Sequence, residues 1–434
     1  MKLPIISKIK NHQLLRTGIN FSFASTLNTF CVLIVGFLNM RWLGPELLGI
    51  WQSLTIINSY LPFTQLGIQS GLNLRLPVLL GANENEKAQQ QVQTGLAYAI
   101  FLSVVFFIIA LVVISILIIK GTDHKITCGA IAISIMAIMS CYQLHYIATF
   151  RSAGAFDKLT IIYLIECVTT IALIYFIYKY QYYGLVIYQA AQSTIHVLLL
   201  HHFAPYKTTK PKFYKQSFLE LLKPGLFMVY HNQIVGIIRS LPRVILLKFG
   251  GVVSVGLFNP ALTVGTCMNL IPDQLGTFLH PQLGYKYGQT KCARDMWRYF
   301  KLLTFLAPLV MLPITIIGWF AMPYVLEYIF PKYISSLEPI RIMLFGFLFS
   351  TAYLSRGFLM SIKAYKQLVV LELLDLAIFA AAPLLLIKFT TLNILNSVAF
   401  GLSIGYLVTY IINIIIVKHT IFLEKYNNPE IKLD

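Results

Sequence analysis

The chain has 434 residues, of which 57% are hydrophobic and 12% charged, and its mean hydropathy is +0.73. An ordinary soluble domain carries about 25% charged residues, so this composition excludes a soluble globular protein and indicates a helical protein that crosses a membrane several times. The formal net charge of +18 does not indicate a nucleic-acid partner, because the basic residues are spread over short segments between apolar runs.

Apolar runs of helical length recur along the whole chain and predict twelve membrane-spanning helices. The first run is longer than the apolar region of a typical signal peptide and lacks small residues at a cleavage site, so we expect an uncleaved first span. The predicted spans cover residues 17–40, 47–70, 94–119, 126–150, 159–178, 183–203, 223–248, 252–274, 299–322, 340–362, 367–388 and 393–417.

Most of the 34 Lys and Arg residues fall in every second connecting segment, counting both terminal segments. Since cytoplasmic loops carry the excess of basic residues, both termini are predicted to lie inside. The most basic linker, from His201 to Phe218, is interpreted as a solvated hinge that touches anionic headgroups of the bilayer, with a partner-binding site as the alternative. It divides the chain into predicted lobes 1–203 and 223–434, with 204–222 between them.

Two sequence matches indicate that each lobe is a copy of one six-helix unit. Residues 152–167 align without gaps to 361–376, which places Glu166 on Asp375. An even number of spans keeps both copies in one orientation, so they should be related by an axis along the membrane normal. A second match, at nearly the same spacing, sets Gly44, Gly49 and Gln52 on Gly251, Gly256 and Asn259.

Amides and hydroxyls recur every three or four residues in the second and eighth spans, which predicts one polar helix face in each. Such faces would lose their hydrogen bonds against lipid, so they should point into protein or into a watery cavity. Polar contacts between helices are the alternative, but similar stripes in both halves favour a shared central cavity. The residues predicted to line it are Asn28, Gln52, Thr55, Ser59, Gln65, Asn259, Thr263, Thr266 and Asn269.

The seventh span carries His231, Arg239 and Arg243 at helical spacing, with a kink predicted at Pro242. Arg243 can extend to the outer interface, whereas Arg239 lies deeper, where a charged side chain costs roughly 2.5–3.5 kcal/mol to insert. An anion would offset that cost, because a guanidinium binds phosphate oxygens bidentately. This strip is therefore predicted to contact a phosphate or pyrophosphate group, whereas Arg356 is predicted to reach the inner interface.

Glu166, Glu372 and Asp375 are the main acids inside the predicted spans. Carboxylates held away from water are candidates for coupling transport to a proton or another ion, and pairing with an arginine or a backbone group is the alternative.

The six cysteines have no CxxC spacing and the histidines near residue 200 fit no familiar metal site, so we expect no metal, disulfide frame or cofactor.

Four segments resemble a known transporter family. They are similar to the polysaccharide-transport branch of the multidrug/oligosaccharidyl-lipid/polysaccharide (MOP) exporter superfamily, and in particular to the Wzx-type O-antigen flippases of bacterial inner membranes. The segments are MRWLGPELLGIWQ (40–52), LGIQSGLNLRLP (66–77), LLKFGGVVSVGLFNPAL (246–262) and IFPKYISSLEPIRIML (329–344).

The resemblance implies an all-α fold of two pseudo-symmetric six-helix lobes around a central cavity, similar to the MATE transporters, and an alternating-access mechanism. The implied substrate is an undecaprenyl-pyrophosphate-linked oligosaccharide, an O-antigen or capsule-type repeat unit, which moves from the inner to the outer leaflet of the bacterial inner membrane.

The resemblance also implies two protein partners, a polysaccharide polymerase and a chain-length regulator. The expectation of a coupling ion, H⁺ or Na⁺, rests on the intramembrane acids instead, because this chain has Pro242 where many relatives carry an acid just before the basic residue. The resemblance places Arg75 in the family's Gly-rich segment after the second span, as a further anion contact. Two alternatives stay open: a multidrug/cation antiporter of the same superfamily and, from another class, a membrane-bound polysaccharide polymerase or ligase.

Overall fold

The structure is a computed structural model that describes residues 4–206, 210–290, 292–362 and 364–423, with the backbone alone at 4–15, 232, 271, 273–282, 284–286, 288–290, 303 and 352–355. The regular structure within these ranges is helical. The α-helices are α1 (Pro4–Leu43), α2 (Pro45–Leu54), α3 (Leu61–Thr64), α4 (Ile68–Gly81), α5 (Asn85–Ile119), α6 (His124–Ser152), α7 (Phe156–His202), α8 (Lys215–Thr290), α9 (Trp297–Tyr328), α10 (Leu337–Leu348), α11 (Ala352–Ser361), α12 (Tyr365–Phe389) and α13 (Ile394–Phe422).

Nine helical segments within the described residues are long and apolar enough to cross a membrane. Two of them, α7 and the part of α8 up to Leu270, each hold two of the predicted spans. The predicted span at 47–70 is divided among α2, α3 and α4. The prediction of an all-α protein that crosses the membrane many times is confirmed.

Apolar side chains on the outside of the helices fit a lipid environment. In α5, Phe107, Ile109 and Leu111 are each more than half exposed, although the helix has a mean hydropathy of 3.4 over its most apolar window. Water would disfavour such a surface, whereas lipid tails are as apolar as these side chains.

The chain reverses direction within α7. Gln181 has φ 51° and ψ −121°, which lie outside the helical region. A Cβ atom on Gly184 would lie 1.9 Å from the carbonyl oxygen of Phe176, whereas residues eight apart in a straight helix are separated by about 12 Å along the axis. The two halves of α7 are therefore the fifth and sixth predicted spans, joined by a very tight turn.

The second predicted span does not form one continuous helix. A 3₁₀ turn at Thr55–Ser59 follows α2, and Gly67, with φ 78°, stands in the left-handed region just before α4. Pro62 contributes to the break, because it lacks the N–H that would continue the hydrogen-bond ladder. The polar residues from 52 to 73 therefore do not share one helix face, and that expectation was wrong.

The chain forms two compact units. The first comprises Met1–Leu43 and Leu54–Gln233, and the second comprises Gly44–Ser53 and Ile234–Asp434. In the first unit α1 and α6 pack on α7, and α4 and α5 pack on α6; in the second, α10 and α12 pack on α13. The predicted division into lobes 1–203 and 223–434 around a linker at 204–222 stays a prediction.

In the first unit, α4 and the beginning of α8 are in backbone contact. A Cβ atom on Gly71 would lie 2.0 Å from the carbonyl oxygen of Leu221, and one on Gly225 would lie 2.0 Å from that of Gly67. Only a residue without a side chain fits such a gap, and small residues allow helices in membranes to approach closely.

In the second unit, α2 and the second half of α8 make a reciprocal contact. A Cβ atom on Gly49 would lie 2.1 Å from the carbonyl oxygen of Val252, and one on Gly256 would lie 1.8 Å from that of Pro45. Each carbonyl precedes its own glycine by four residues, so the two segments exchange the same contact, as a two-fold rotation requires. The contact between α4 and the beginning of α8 has the same reciprocal form, so this form is a property of close helix packing, and the duplication stays a prediction.

A buried ion pair joins α11 to α12. Nη2 of Arg356 donates to Oδ2 of Asp375, and the two side chains are 5% and 1% exposed. The expectation that Arg356 reaches the interface was therefore wrong. Its position near the inner end of the span allowed snorkelling, but Asp375 lies opposite it across the turn between α11 and α12, and pairing avoids an isolated charge in the span.

Replacing Gly256 with alanine should destabilise the protein, because the new methyl group meets backbone that has nowhere to move. Overpacking of this kind costs about 1–3 kcal/mol. We expect a lower unfolding temperature for Gly256→Ala in detergent or nanodiscs, measured by intrinsic fluorescence. Gly36→Ala is the matched control, since a Cβ atom there meets nothing within 4 Å. Equal unfolding temperatures for the two variants would contradict the contact.

Removing the carboxylate of Asp375 should also destabilise the protein, because it leaves the guanidinium of Arg356 without this partner. Breaking a buried pair typically costs about 3–5 kcal/mol. We expect Asp375→Asn to unfold at a lower temperature than Asp295→Asn, which changes an exposed aspartate of the same unit. An Asp375→Asn variant as stable as that control would show that the pair contributes nothing to folding.

Candidate substrate and coupling sites

Arg239 and Arg243 lie one turn apart on α8, which stays helical through Pro242. Arg239 is exposed, whereas Arg243 is half-buried and its Nε atom is enclosed without a hydrogen-bond partner. Within the described part of the chain, neither guanidinium forms an ion pair or a side-chain hydrogen bond. Two cations on a long apolar helix therefore remain available to an anion.

The other two residues predicted to bind the anion, His231 and Arg75, belong to the first unit. His231 is half-buried and already engaged in a contact. Nη2 of Arg75 lies 2.9 Å from Oε2 of Glu220, and its Nη1 donates to the Glu220 backbone carbonyl at 3.2 Å. Arg75 thus has a counter-ion, and with Lys215 and Lys223 it lines an open groove of about 600 Å³.

The polar residues of the second span are mostly enclosed. Gln65 is 4% exposed, and its Nε2 atom has no hydrogen-bond partner among the residues described. Ser59 is half-buried, as are Gln52 and Thr55, which each make a contact. Their predicted place in the wall of a cavity stays a prediction.

In the eighth span the polar residues are partly satisfied by their own helix. Thr263, Thr266 and Asn269 each donate to the carbonyl four residues earlier, at 3.0, 3.1 and 3.0 Å. Asn269 also accepts from the Ser350 hydroxyl at 2.7 Å, and Asn259 is buried. Back-bonding to the helix satisfies a polar side chain in an apolar surrounding, so these bonds alone do not require a cavity.

Glu166 is the centre of a buried polar cluster in the first unit. Its side chain is 3% exposed, and Nδ1 of His196 donates to its Oε1 atom. Asn28 donates to the other carboxylate oxygen at 2.9 Å. Next to them, Thr169 donates to Gln192 across the same helix pair at 3.3 Å. Asn28, predicted to line a cavity, is thus placed against a predicted coupling acid.

The Glu166 and His196 pair can hold zero, one or two exchangeable protons, and it is electrically neutral overall when it holds one. With one proton the pair is either neutral or an ion pair, and a second proton leaves a single positive charge on the imidazole. Nε2 of His196 is enclosed and lacks a hydrogen-bond partner in the described residues. In the sequence, His196 is interpreted as a residue that packs between helices or lines a cavity. Glu166 and His196 lie equally far along the chain from Gln181, where the helix reverses direction. This equal spacing is the sequence signal that could have predicted their contact.

The other two predicted coupling acids have a different environment. Asp375 is paired with Arg356, whose guanidinium does not give up its proton in proteins. Glu372 lies one turn away on α12, is fully buried and makes its own contacts. Removing the charge of Asp375 by protonation would leave a buried cation, so this pair is better suited to holding α11 and α12 together than to exchanging protons.

The described residues contain no group of three or more His, Cys, Asp or Glu side chains that could hold a metal ion. The six cysteines are free.

Comparisons with solved structures identify the fold. Over 91% of this chain and 94% of the other, the fold matches the inward-facing conformation of a multidrug resistance MATE family transporter of the MOP superfamily, with a TM-score of 0.78 and 15% identity. A MOP superfamily transporter from Pyrococcus furiosus Vc1, described as having a binding pocket of reversed polarity that suggests a different function, matches over 95% and 96% of the two chains, with a TM-score of 0.68 and 15% identity.

A third match is the crystal structure of a MATE transporter in complex with MaL6, with a TM-score of 0.69, 16% identity and coverage of 94% of this chain and 98% of that one. At these identities the likeness establishes the fold.

Sequence comparison gives a family. No curated protein sequence matches this chain. Residues 38–336, which are more than half of the chain, match the family described as "Polysaccharide biosynthesis protein". The chain therefore belongs to the polysaccharide biosynthesis protein family and has the fold of the MATE transporters of the MOP superfamily.

Proposed function

We propose that this protein is a flippase that moves an undecaprenyl-pyrophosphate-linked oligosaccharide, an O-antigen or capsule-type repeat unit, from the inner to the outer leaflet of the bacterial inner membrane. Membership of a polysaccharide biosynthesis family supports a glycan substrate, and the fold supports a transporter that works by alternating access. In this proposal a polysaccharide polymerase and a chain-length regulator receive the delivered unit.

The observation that carries the proposal is the exposed guanidinium of Arg239. It stands on a helix that is apolar enough to span a membrane, and it has no ionic partner among the described residues. A charged side chain at the centre of a membrane span costs roughly 2.5–3.5 kcal/mol. Contact with water and with an anionic headgroup offsets that cost, so the position is best explained by a substrate that carries phosphate.

A second cation one turn away fits a pyrophosphate better than a single phosphate. Arg243 continues the strip towards the end of the seventh span, and the enclosed Nε atom of its guanidinium still lacks an acceptor. Arginine provides several N–H donors in a fixed plane, so two such groups can hold the oxygens of two linked phosphates. The lipid tail stays in the bilayer in this scheme, and only the polar head crosses.

The alternative within the same superfamily is a multidrug/cation antiporter. A cationic substrate would be bound by acids, but Asp375 already has an arginine partner, and the exposed, unpaired charge on α8 is positive. The same family membership and transporter fold weigh against the second alternative, a polymerase or ligase, whose chemistry would need a cluster of reactive groups at the outer face.

We assign the coupling role, within this proposal, to Glu166 together with His196 rather than to Asp375 or Glu372. Only the first pair contains a histidine, the side chain that most readily gains and loses a proton near neutral pH, whereas the partner of Asp375 is an arginine that keeps its proton. Asn28 links this pair to α1, so a change of protonation is felt by three helical segments of the first unit.

Replacing Arg239 with alanine should strongly reduce translocation. A hydrogen bond to a charged group is worth about 1.5–3 kcal/mol, so the initial rate should fall about tenfold to a hundredfold. The measurement is the transfer of an undecaprenyl-pyrophosphate-linked oligosaccharide across proteoliposomes, with Arg239→Lys as an intermediate case. Lys248→Ala removes an exposed cation from the same helix and is the control. Normal transfer by Arg239→Ala at normal protein level would refute the role of Arg239.

Replacing Glu166 with glutamine should remove the response of transport to a proton gradient, because the amide cannot bind or release the proton. Wild-type proteoliposomes are expected to transfer the substrate faster with an imposed pH difference than without it. In Glu166→Gln the two rates should be equal. The conservative variant Glu166→Asp should retain part of the response. Gradient stimulation that persists in Glu166→Gln, or a wild type that never responds, would exclude this coupling site.

A further inference from the structure

A second cavity, separate from the arginine strip, lies within the first unit. It has a volume of about 290 Å³ and is bounded by α5, by the second half of α6 and by the end of α7 with the segment that follows. Its described lining contains histidine, tyrosine, threonine and aliphatic side chains, but no Asp, Glu, Lys or Arg. Ligand cavities in proteins range from about 300 to 1,000 Å³, so this one is suited to a single small ring.

A chain of hydrogen bonds from Gly95 through Gln69 determines which nitrogen of His145 is a hydrogen-bond acceptor in the cavity. Nε2 of Gln69 donates to the carbonyl oxygen of Gly95 at 2.9 Å, which turns the amide oxygen of Gln69 towards His145. Nδ1 of His145 lies 3.3 Å from that oxygen and must therefore carry the hydrogen. In the neutral ring the other nitrogen, Nε2, is then an acceptor.

His145 is 2% exposed, yet it lines the cavity. Its Nε2 atom has no hydrogen-bond partner among the described residues and, unlike Nε2 of His196, it is not sealed by protein. An acceptor that opens into a cavity takes a hydrogen bond from water or from a bound group that replaces the water. With no carboxylate in the lining to stabilise an imidazolium, the neutral ring is the form that this surrounding accommodates.

A second hydrogen-bonded pair contributes to the lining of the cavity. The hydroxyl of Tyr146 lies 2.7 Å from Nδ1 of His201, and their rings meet edge to face at 5.7 Å. If the tyrosine hydroxyl donates, His201 keeps an N–H at Nε2, and if His201 donates, the tyrosine keeps its O–H, so the pair retains one donor in either tautomer. The lining therefore combines a hydrogen-bond acceptor and a donor with the rings of Tyr146 and Tyr206 and the aliphatic side chain of Leu96.

We propose that this cavity binds one uncharged sugar ring, with a ring hydroxyl donating to Nε2 of His145. A pyranose has hydroxyls on its edge and C–H groups on its faces, which matches a lining of polar groups beside aromatic and aliphatic surfaces. The absence of charged side chains from the described lining disfavours phosphate, nucleotides and ammonium compounds. A purely apolar ligand would leave the buried acceptor of His145 unsatisfied.

The test is saturation-transfer NMR on the full-length protein in nanodiscs, with methyl α-glucopyranoside, methyl β-galactopyranoside and methyl N-acetylglucosaminide as separate probes and glycerol as an acyclic polyol. We expect transfer to the ring protons of at least one glycoside and none to glycerol. Leu96→Trp should abolish the signal by filling the cavity, whereas Leu111→Trp, on the exposed face of the same helix, should preserve it.

His145→Asn tests the proposed contact itself. The asparagine amide can still donate to Gln69 but offers no acceptor at the position of Nε2, so affinity should fall about twofold to tenfold. If this variant does not fold, Leu96→Trp decides alone. Absence of transfer to all three glycosides in the wild type, or transfer that survives in Leu96→Trp, would overturn the proposal. The measurement involves no translocation, so its result is independent of whether the protein is a flippase.

Discussion

The low polarity of the bilayer requires every charge on a spanning helix to find a partner, and three arginines of this protein meet that requirement differently. Arg356 is buried and neutralised by Asp375, whereas Arg75 is half-exposed and paired with Glu220. Arg239 is exposed and has no ionic partner among the described residues. The first two arginines have partners in the protein and the third does not, which is why a substrate anion explains Arg239 and is not needed to explain Arg356.

The same constraint separates Glu166 and Asp375, the two acids that the predicted duplication aligns. Glu166 faces a histidine, and Asp375 faces an arginine. A histidine partner allows the proton count of a buried site to change, but an arginine partner fixes the charge. In the proposed function the first site responds to protons, whereas the second holds α11 and α12 together.

Hydrophobicity is sufficient to predict the helical class and most of the spans, because burial in lipid imposes long apolar runs. The break after α2 was not predicted, since polar residues kept a helical period through Pro62 and Gly67 while the backbone left the helix. The partner of Glu166 was also missed, and pairing of an intramembrane acid with an arginine, which Asp375 shows, was expected only as the alternative. Both pairs lie almost symmetrically about a chain reversal, and a pattern within one span cannot show a contact with the next.

The account depends most on a phosphate-bearing head being recognised by the arginine strip of α8. The most direct measurement compares two substrates with the same glycan and the same undecaprenyl tail in proteoliposomes that contain only this protein, one joined by pyrophosphate and the other by a direct glycosidic bond. The account predicts that the glycan of the pyrophosphate compound becomes accessible on the far side and that the uncharged compound stays where it was placed. Equal transfer of both compounds, or transfer of neither, would contradict it.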